Sequence, residues 1–336
     1  MDKLYYGEIN EFIDWHDTSG QIINASDGGI IYENGVYHWY GMAFRNLPMA
    51  SGPNGGQMTD TGVVMYRSLD LLNWEYEGVI LEVSNDKGSE LYAPLRFERP
   101  KIIYNEKTKQ FVLWCHFVKY PGDHGNGHGD SDMGLAVCDS VNGKYKWLGY
   151  SKPIDESEWV RDMTVYKDPF KNAYLIYDRH IADPLLGDKT GGLQGDRCIH
   201  VVKLSDDYLS FTDTYKRINC AAFREAPAVT YKDGYYYIVT SGLTGWETNR
   251  AMAFRTKNLL SEWECIGDPC VDDFTHTTFN TQSSSIFKIE GTDTHIIMLE
   301  RHNTACFLKS SYVWLPIEFN GDNTISLHYV KELVLK

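Results

Sequence analysis

REAPAVTYKDGYYYIVTSGLTGW, residues 224–246, is the stretch from which the fold is read. An apolar, β-forming run starts directly after a lone acid, Glu225, and reaches a Lys232-Asp233-Gly234 turn. A second run, Tyr235 to Thr240, returns from it, so composition and turn chemistry both predict a hairpin. The return strand opens into Ser241-Gly242-Leu243-Thr244-Gly245-Trp246, a glycine-rich loop closed by an aromatic. Antiparallel pairing brings the start of the first run and the end of the second together, which makes Glu225 and Trp246 expected neighbours. Asp233, at the far end of the hairpin, is read as a turn residue only.

The same unit recurs along the chain. A polar residue opens an apolar strand, a turn follows, and a second strand rich in Tyr, Trp or Ile returns before a loop and two further strands. The opening residues are Asp27, Glu98, Asp162, Glu225 and Gln282, spaced by roughly sixty residues. This pattern predicts an all-β chain forming a single five-bladed β-propeller, with four antiparallel strands per blade. One domain over 1–336 is expected, with blades near 24–82, 95–150, 159–216, 222–269 and 279–333. Two packed sandwiches are the rival fold, but they give no reason for an acid or amide at each repeat start.

In a propeller the first strand of each blade lines the central channel, and its start shares a face with the loop joining strands two and three. The five polar residues are therefore expected in one axial funnel, rimmed by loops 43–61, 117–132, 179–197, 241–249 and 301–306. Arg45, Arg179, His180, Arg301 and His302 end second strands, so they too are expected to face it, binding hydroxyls or balancing charge. Trp246 is a stacking platform, whereas Trp39, inside a strand, belongs to the core. Carboxyls crowded into one pocket repel each other, so raised pKa values are expected there.

Composition narrows the partners. The 336 residues are 43% hydrophobic and 23% charged, and the net charge of −14 excludes nucleic acid or an anionic membrane as partner. A neutral ligand suits such a surface. Seven dispersed cysteines without a CxxC pair read as reduced thiols. MDKLYYGEIN has no apolar run fit for a signal peptide, and a cytoplasmic location is expected. The segment His124-Gly-Asn-Gly-His128-Gly-Asp130-Ser-Asp132 matches no strong metal-ligand spacing. It reads as a rim loop whose His128 touches substrate, and no cofactor or metal ligand is assigned.

Two acids on opposite sides of a glycosidic oxygen are the minimum equipment for cutting that bond. Glu225 precedes Ala226-Pro227, a neutral setting that favours a protonated carboxyl. ERPKIIYN at 98–105, RDMTVYKD at 161–168, residues 224–246, TFNTQSSS at 278–285 and SSYVWLPIEFN at 310–320 carry a resemblance over essentially the whole chain. The sequence resembles glycoside hydrolase family 43, inverting five-bladed propellers with an Asp base, a pKa-tuning Asp and a Glu acid. It is most similar to the exo-β-1,3-galactanase branch. The resemblance implies Glu225 as acid, Asp162 as modulator, Glu98 as a ligand for sugar hydroxyls, and Gln282 at the place where the branch's missing base would act. It also leaves room for a structural calcium in the channel.

One departure matters. That branch reads Ala-His-Gly-Gly-Gly at the first blade, but this chain reads Ala25-Ser26-Asp27-Gly28-Gly29. Asp27 falls where the wider family has its base, so Asp27 is expected to be the general base. The expectation is an exo-acting, inverting hydrolase releasing a terminal galactose-type residue from a small oligosaccharide, as an exo-β-1,3-galactanase or β-galactofuranosidase. An α-L-arabinofuranosidase or β-xylosidase, a carbohydrate-binding propeller without turnover, and a glycoside phosphorylase are the alternatives. The last needs arginines, such as Arg45, Arg179 and Arg301, converging on phosphate.

Overall fold

The computed structural model describes residues 3–52, 55–118, 131–154, 158–181 and 196–335. The chain is a five-bladed β-propeller of antiparallel strands, each blade running outward from the axis in chain order. The innermost strands are Ser26–Glu33, Arg96–Asn105, Glu158–Lys167, Arg224–Lys232 and Gln282–Lys288. Each packs against the next and the fifth packs against the first, so the ring is closed. The first four blades are four-stranded sheets. In the fifth, Gln282–Lys288, His295–Arg301 and Ser311–Pro316 pair in order, and the short pair Glu318–Phe319 with Ile325–Ser326 follows. Among the described residues the only helical turns are the 3-10 segments Gly55–Gln57 and Phe307–Lys309.

The hairpin from which the fold was read pairs Lys232 with Tyr235, which leaves Asp233 and Gly234 as a two-residue turn. Both have left-handed backbone, at φ 50° and 87°, the requirement of the turn that matches strand twist. Asn34-Gly35 does the same in the first blade, at φ 51° and 89°. The ring is closed by the chain's ends. Leu4–Tyr5 pairs with Glu332–Leu333, and the Tyr6 hydroxyl donates to the Trp314 carbonyl at 2.6 Å. Trp15 then packs edge-on against Trp39, Tyr312 and Trp314, which places the fully buried Trp39 in the core as expected.

One irregularity decides where the polar side chains go. Every innermost strand carries an extra residue near its start, a β-bulge opposite the second strand. A bulge bends the strand and re-aims side chains that strict alternation would turn away. In the first blade it lies between Ser26 and Gly29, in the second between Glu98 and Lys101, and in the fourth between Glu225 and Ala228. Asp27, Arg99 and Ala226 open these bulges with left-handed φ of 58°, 53° and 54°. The first bulge also needs its glycine, because a Cβ on Gly28 would sit 1.6 Å from the Tyr40 carbonyl oxygen.

The five opening residues consequently do not share one register. Glu98 and Glu225 are the last paired residues before their bulges, opposite His116 and Ser241. Asp27 sits inside its bulge, at the position that Arg99 holds in the next blade. Asp162 follows Arg161 inside the third bulge, between the paired Val160 and Met163.

Candidate active site

Despite their different registers, Asp27, Glu98, Asp162, Glu225 and Gln282 all line one cavity, and Trp246 joins them. Arg99, Arg161, Arg197 and His116 complete its polar wall. Charges in the cavity fall into two halves, joined by Arg99.

Asp27 forms one half. Its side chain is 4% exposed, and both ends of its backbone are held by buried ionisable groups from neighbouring blades. Its N–H donates to Glu300 Oε1 at 2.6 Å, and its carbonyl accepts from Lys101 Nζ at 2.7 Å. This clamp opposes the strain of a non-glycine residue in left-handed backbone. Asp27 Oδ1 lies 3.9 Å from Arg99 Nη2 and 3.8 Å from His302 Nε2, and is buried with no hydrogen-bond partner among the described residues. Burial alone would raise this carboxyl, but the Arg99 charge and His302 outweigh it and hold it below the ordinary range. Glu300 is pushed the other way, well above its usual value, by burial and then by the Asp27 charge. Burial also draws Lys101 down to about 7.

Glu225 forms the second half. Its side chain is 12% exposed, with Oε2 3.4 Å from Arg197 Nη2. Arg197 itself is committed to the fully buried Asp178. Burial, then the charges of Asp162 and Asp178, push the Glu225 carboxyl up to about 8 against the pull of Arg197 and Arg99. Asp162 is salvaged from direct repulsion by Arg99, whose Nε lies 3.0 Å from its Oδ2. Arg99 also donates to Gln282 Oε1 and the Ser283 carbonyl, both at 2.9 Å. Gln282 in turn donates to Ser241 Oγ at 3.0 Å, and Glu98 pairs with His116 Nδ1 at 2.9 Å.

Trp246 stands edge-on to His302 at 4.7 Å and to Phe307 at 4.9 Å. Its loop is pinned by Asn249, which accepts from Gly242 N–H at 2.6 Å and donates to the Gly242 carbonyl at 3.0 Å. The platform is thus built before any ligand arrives.

Two carboxylate and imidazole clusters have the spacing of metal sites, Asp27 with Glu300 and His302, and Glu98 with His116 and Asp162. Each supplies only three donors, one of them nitrogen, whereas calcium takes about six to eight oxygens. Each already faces fixed cations, Arg99 and Lys101 in the first and Arg99 in the second. Neither is assigned a metal.

Several expected ligands lie elsewhere. Arg301 is buried, and its guanidinium donates to the carbonyls of Glu11, Phe279 and Asn280. It anchors backbone at the closure of the ring and does not line the cavity. Arg45 pairs with Asp60 at 2.8 Å and does not line the cavity. His180 is fully buried edge-on to Trp159, and Arg179, opposite Val160, also stays out of the wall. His302 lies behind the wall, against Asp27 and Trp246. A place on a second strand does not by itself explain this, since His116 on Gln110–Val118 does reach the cavity; Arg45, His180 and Arg301 are held away by their own neighbours. His128 falls outside the described residues, as does most of the two long loops around it and after Arg179.

The arginines that do reach the cavity were missed, although Arg99 and Arg161 adjoin acids that the sequence singled out. Glu300 also had a signal, a charge closing the apolar run His295–Leu299.

The profile of the Glycosyl hydrolases family 43 matches residues 24–325. No curated protein matches the chain. Among solved structures, a GH43 β-1,3-galactosidase is 29% identical with a TM-score of 0.82, covering 99% of this chain, which spans 63% of that chain's length. A second GH43 β-1,3-galactosidase, solved with galactodeoxynojirimycin, is 28% identical with a TM-score of 0.81, over 98% of this chain and 99% of that one. An exo-β-1,3-galactanase from Clostridium thermocellum is 26% identical with a TM-score of 0.78, over 100% of this chain and 67% of that one.

Proposed function

The chain belongs to glycosyl hydrolases family 43, and on that premise we propose that it is an exo-acting, inverting hydrolase releasing a terminal galactose-type residue from small oligosaccharides. One observation carries the reading. Two carboxyls in a single cavity are driven in opposite directions, Asp27 below its ordinary range and Glu225 up to about 8. Environments that separate two acids in this way assign the base and the acid at neutral pH.

Glu225 donates its proton to the glycosidic oxygen as the bond from that oxygen to C1 breaks. A water attacks C1 from the opposite face and passes a proton to Asp27, so the anomeric configuration inverts. Asp162 keeps Glu225 protonated by its own negative charge. Glu98 and Gln282 take hydroxyls of the terminal sugar, and Trp246 offers it an apolar face. Likeness to two β-1,3-galactosidases supports the galactose-type sugar.

A second reading, an α-L-arabinofuranosidase or β-xylosidase, draws support from Asp27, which stands where the wider family carries its base. Phosphorolysis has less support, because Arg45 and Arg301 are spent elsewhere and an attacking phosphate would have to approach a charged Asp27. A panel of aryl galactopyranoside, galactofuranoside, arabinofuranoside and xyloside, with the product anomer followed by NMR from the first turnover, tests the proposal. Inverted galactose is expected. A retained anomer, or sugar bound without turnover, overturns it.

A further inference from the structure

Of the three arginines in the cavity wall, two are paired with carboxylates. Arg99 holds Asp162, Gln282 and the Ser283 carbonyl, and Arg197 holds Asp178 and Glu225. Arg161 makes no hydrogen bond and no ion pair among the described residues. Its side chain is half-buried, its Nε is shut off from solvent with no acceptor, and its guanidinium carbon lies 5.9 Å from the centroid of the Trp159 ring. A buried donor left unsatisfied costs about 1–3 kcal/mol, and more when charged, so a site that keeps one is built for a partner that arrives later.

The charges acting most strongly on Arg161 are Arg197, which repels it, and then Asp178, Glu225 and Asp162. Asp178 and Asp162 are already bonded to other guanidiniums, and Glu225 carries its proton in the acid role. Of the three guanidiniums, Arg161 alone has no carboxylate bonded to it among the described residues, and a neutral hydroxyl would leave it so. Position fixes its side of the cavity. Arg161 shares the third-blade bulge with Asp162, on the strand that packs against Arg224–Lys232 with Glu225, whereas Asp27 stands on the first blade. The leaving group departs on the side of Glu225.

We propose that Arg161 recognises an oxyanion carried by the leaving-group residue next to the bond that is cut, so that the preferred substrates are acidic oligosaccharides. The inference rests on the assignment of Glu225 as the acid. A uronate carboxylate and a sulfate ester share the required chemistry, and the planar carboxylate matches the guanidinium fork in both shape and charge.

The test uses aryl glycosides of the sugar that the panel selects, with the aglycone ring bearing a carboxylate, its methyl ester or a sulfonate, matched in leaving-group acidity. The wild type is expected to prefer the carboxylate over the ester by on the order of 10-fold or more in kcat/KM, and high salt should erode the preference. Arg161→Met should bring the ratio to about one, and Arg161→Lys should restore part of it. A sulfonate equal to or better than the carboxylate identifies the sulfate ester as the source. Wild-type enzyme that treats carboxylate and ester alike refutes the proposal without any variant, as does Arg161→Met keeping the preference. If no glycoside is turned over, the hydrolase reading fails, and calorimetry with glucuronate against its methyl ester still decides whether Arg161 binds an anion. Equal binding of the two overturns it.

Discussion

Replacing Glu225 by glutamine couples the chemistry of the site to the stability of the fold. The native environment raises this carboxyl from an ordinary 4.5 to about 8, chiefly by burial and then by the charges of Asp162 and Asp178. Between those values the folded chain keeps a proton that the unfolded chain releases. Stability is therefore lost as pH rises through that window, and the loss is complete above about 8. At about 1.36 kcal/mol for each pH unit, the full cost is on the order of 5 kcal/mol. Glutamine cannot ionise. The Glu225→Gln variant should match the wild type near pH 5 and exceed it in Tm by several degrees near pH 9, read by scanning calorimetry across that range. The same variant should lose about 10²–10⁴-fold in kcat on alkyl glycosides. It should lose far less on dinitrophenyl glycosides, whose leaving group needs no proton. Parallel Tm curves for the two proteins, or an equal loss on both substrate classes, would refute the assignment of Glu225 as a buried, protonated acid.

The other end of the reaction predicts the opposite pattern. Asp27→Ala should lose activity equally on good and poor leaving groups and regain it with azide, which attacks C1 in place of activated water; a loss graded by leaving group would count against a base. The clamp on Asp27 predicts that Lys101→Met and Glu300→Leu lower kcat by about 10–100-fold with little change in KM, while Glu300→Gln, which keeps an acceptor for the Asp27 N–H, lowers it much less. Steady-state kinetics on all three decide this, and a wild-type kcat in Lys101→Met would remove the clamp from the mechanism. Arg301→Met orphans the carbonyls of Glu11, Phe279 and Asn280, so unfolding should become easier by about 3 kcal/mol or more with KM unchanged. A raised KM at unchanged Tm would return Arg301 to the substrate.

Much of the architecture was legible because propellers repeat. Asp233-Gly234 and Asn34-Gly35 are turn signals that work locally, and the apolar runs around them have strand length and strand composition. The five opening residues were legible as a set for the same reason, and all five reach one cavity. Their partners were not. Whether a cation at the end of a second strand turns to the axis depends on blade packing and on bulges, and neither leaves a mark at the residue itself. Arg301 closes a second strand and Arg197 opens a third, and residue type alone does not separate their roles. One ties down backbone at the ring closure, and the other stands between Asp178 and Glu225.

The bulge also explains how two acids of opposite protonation fit in one small cavity. A regular strand would send Glu98 and Arg99, adjacent in sequence, to opposite faces. The left-handed turn at Arg99 instead lets both line the cavity, and the guanidinium ends 3.0 Å from Asp162 and 3.9 Å from Asp27. Its charge lowers Asp27 and pulls Glu225 down as well, but on that side burial and the charges of Asp162 and Asp178 outweigh it. Arg99 thus sets the low end of the pair and the buried acids around Glu225 set the high end, and the backbone conformation that places the arginine is the same one that places the Asp27 carboxylate in the first blade.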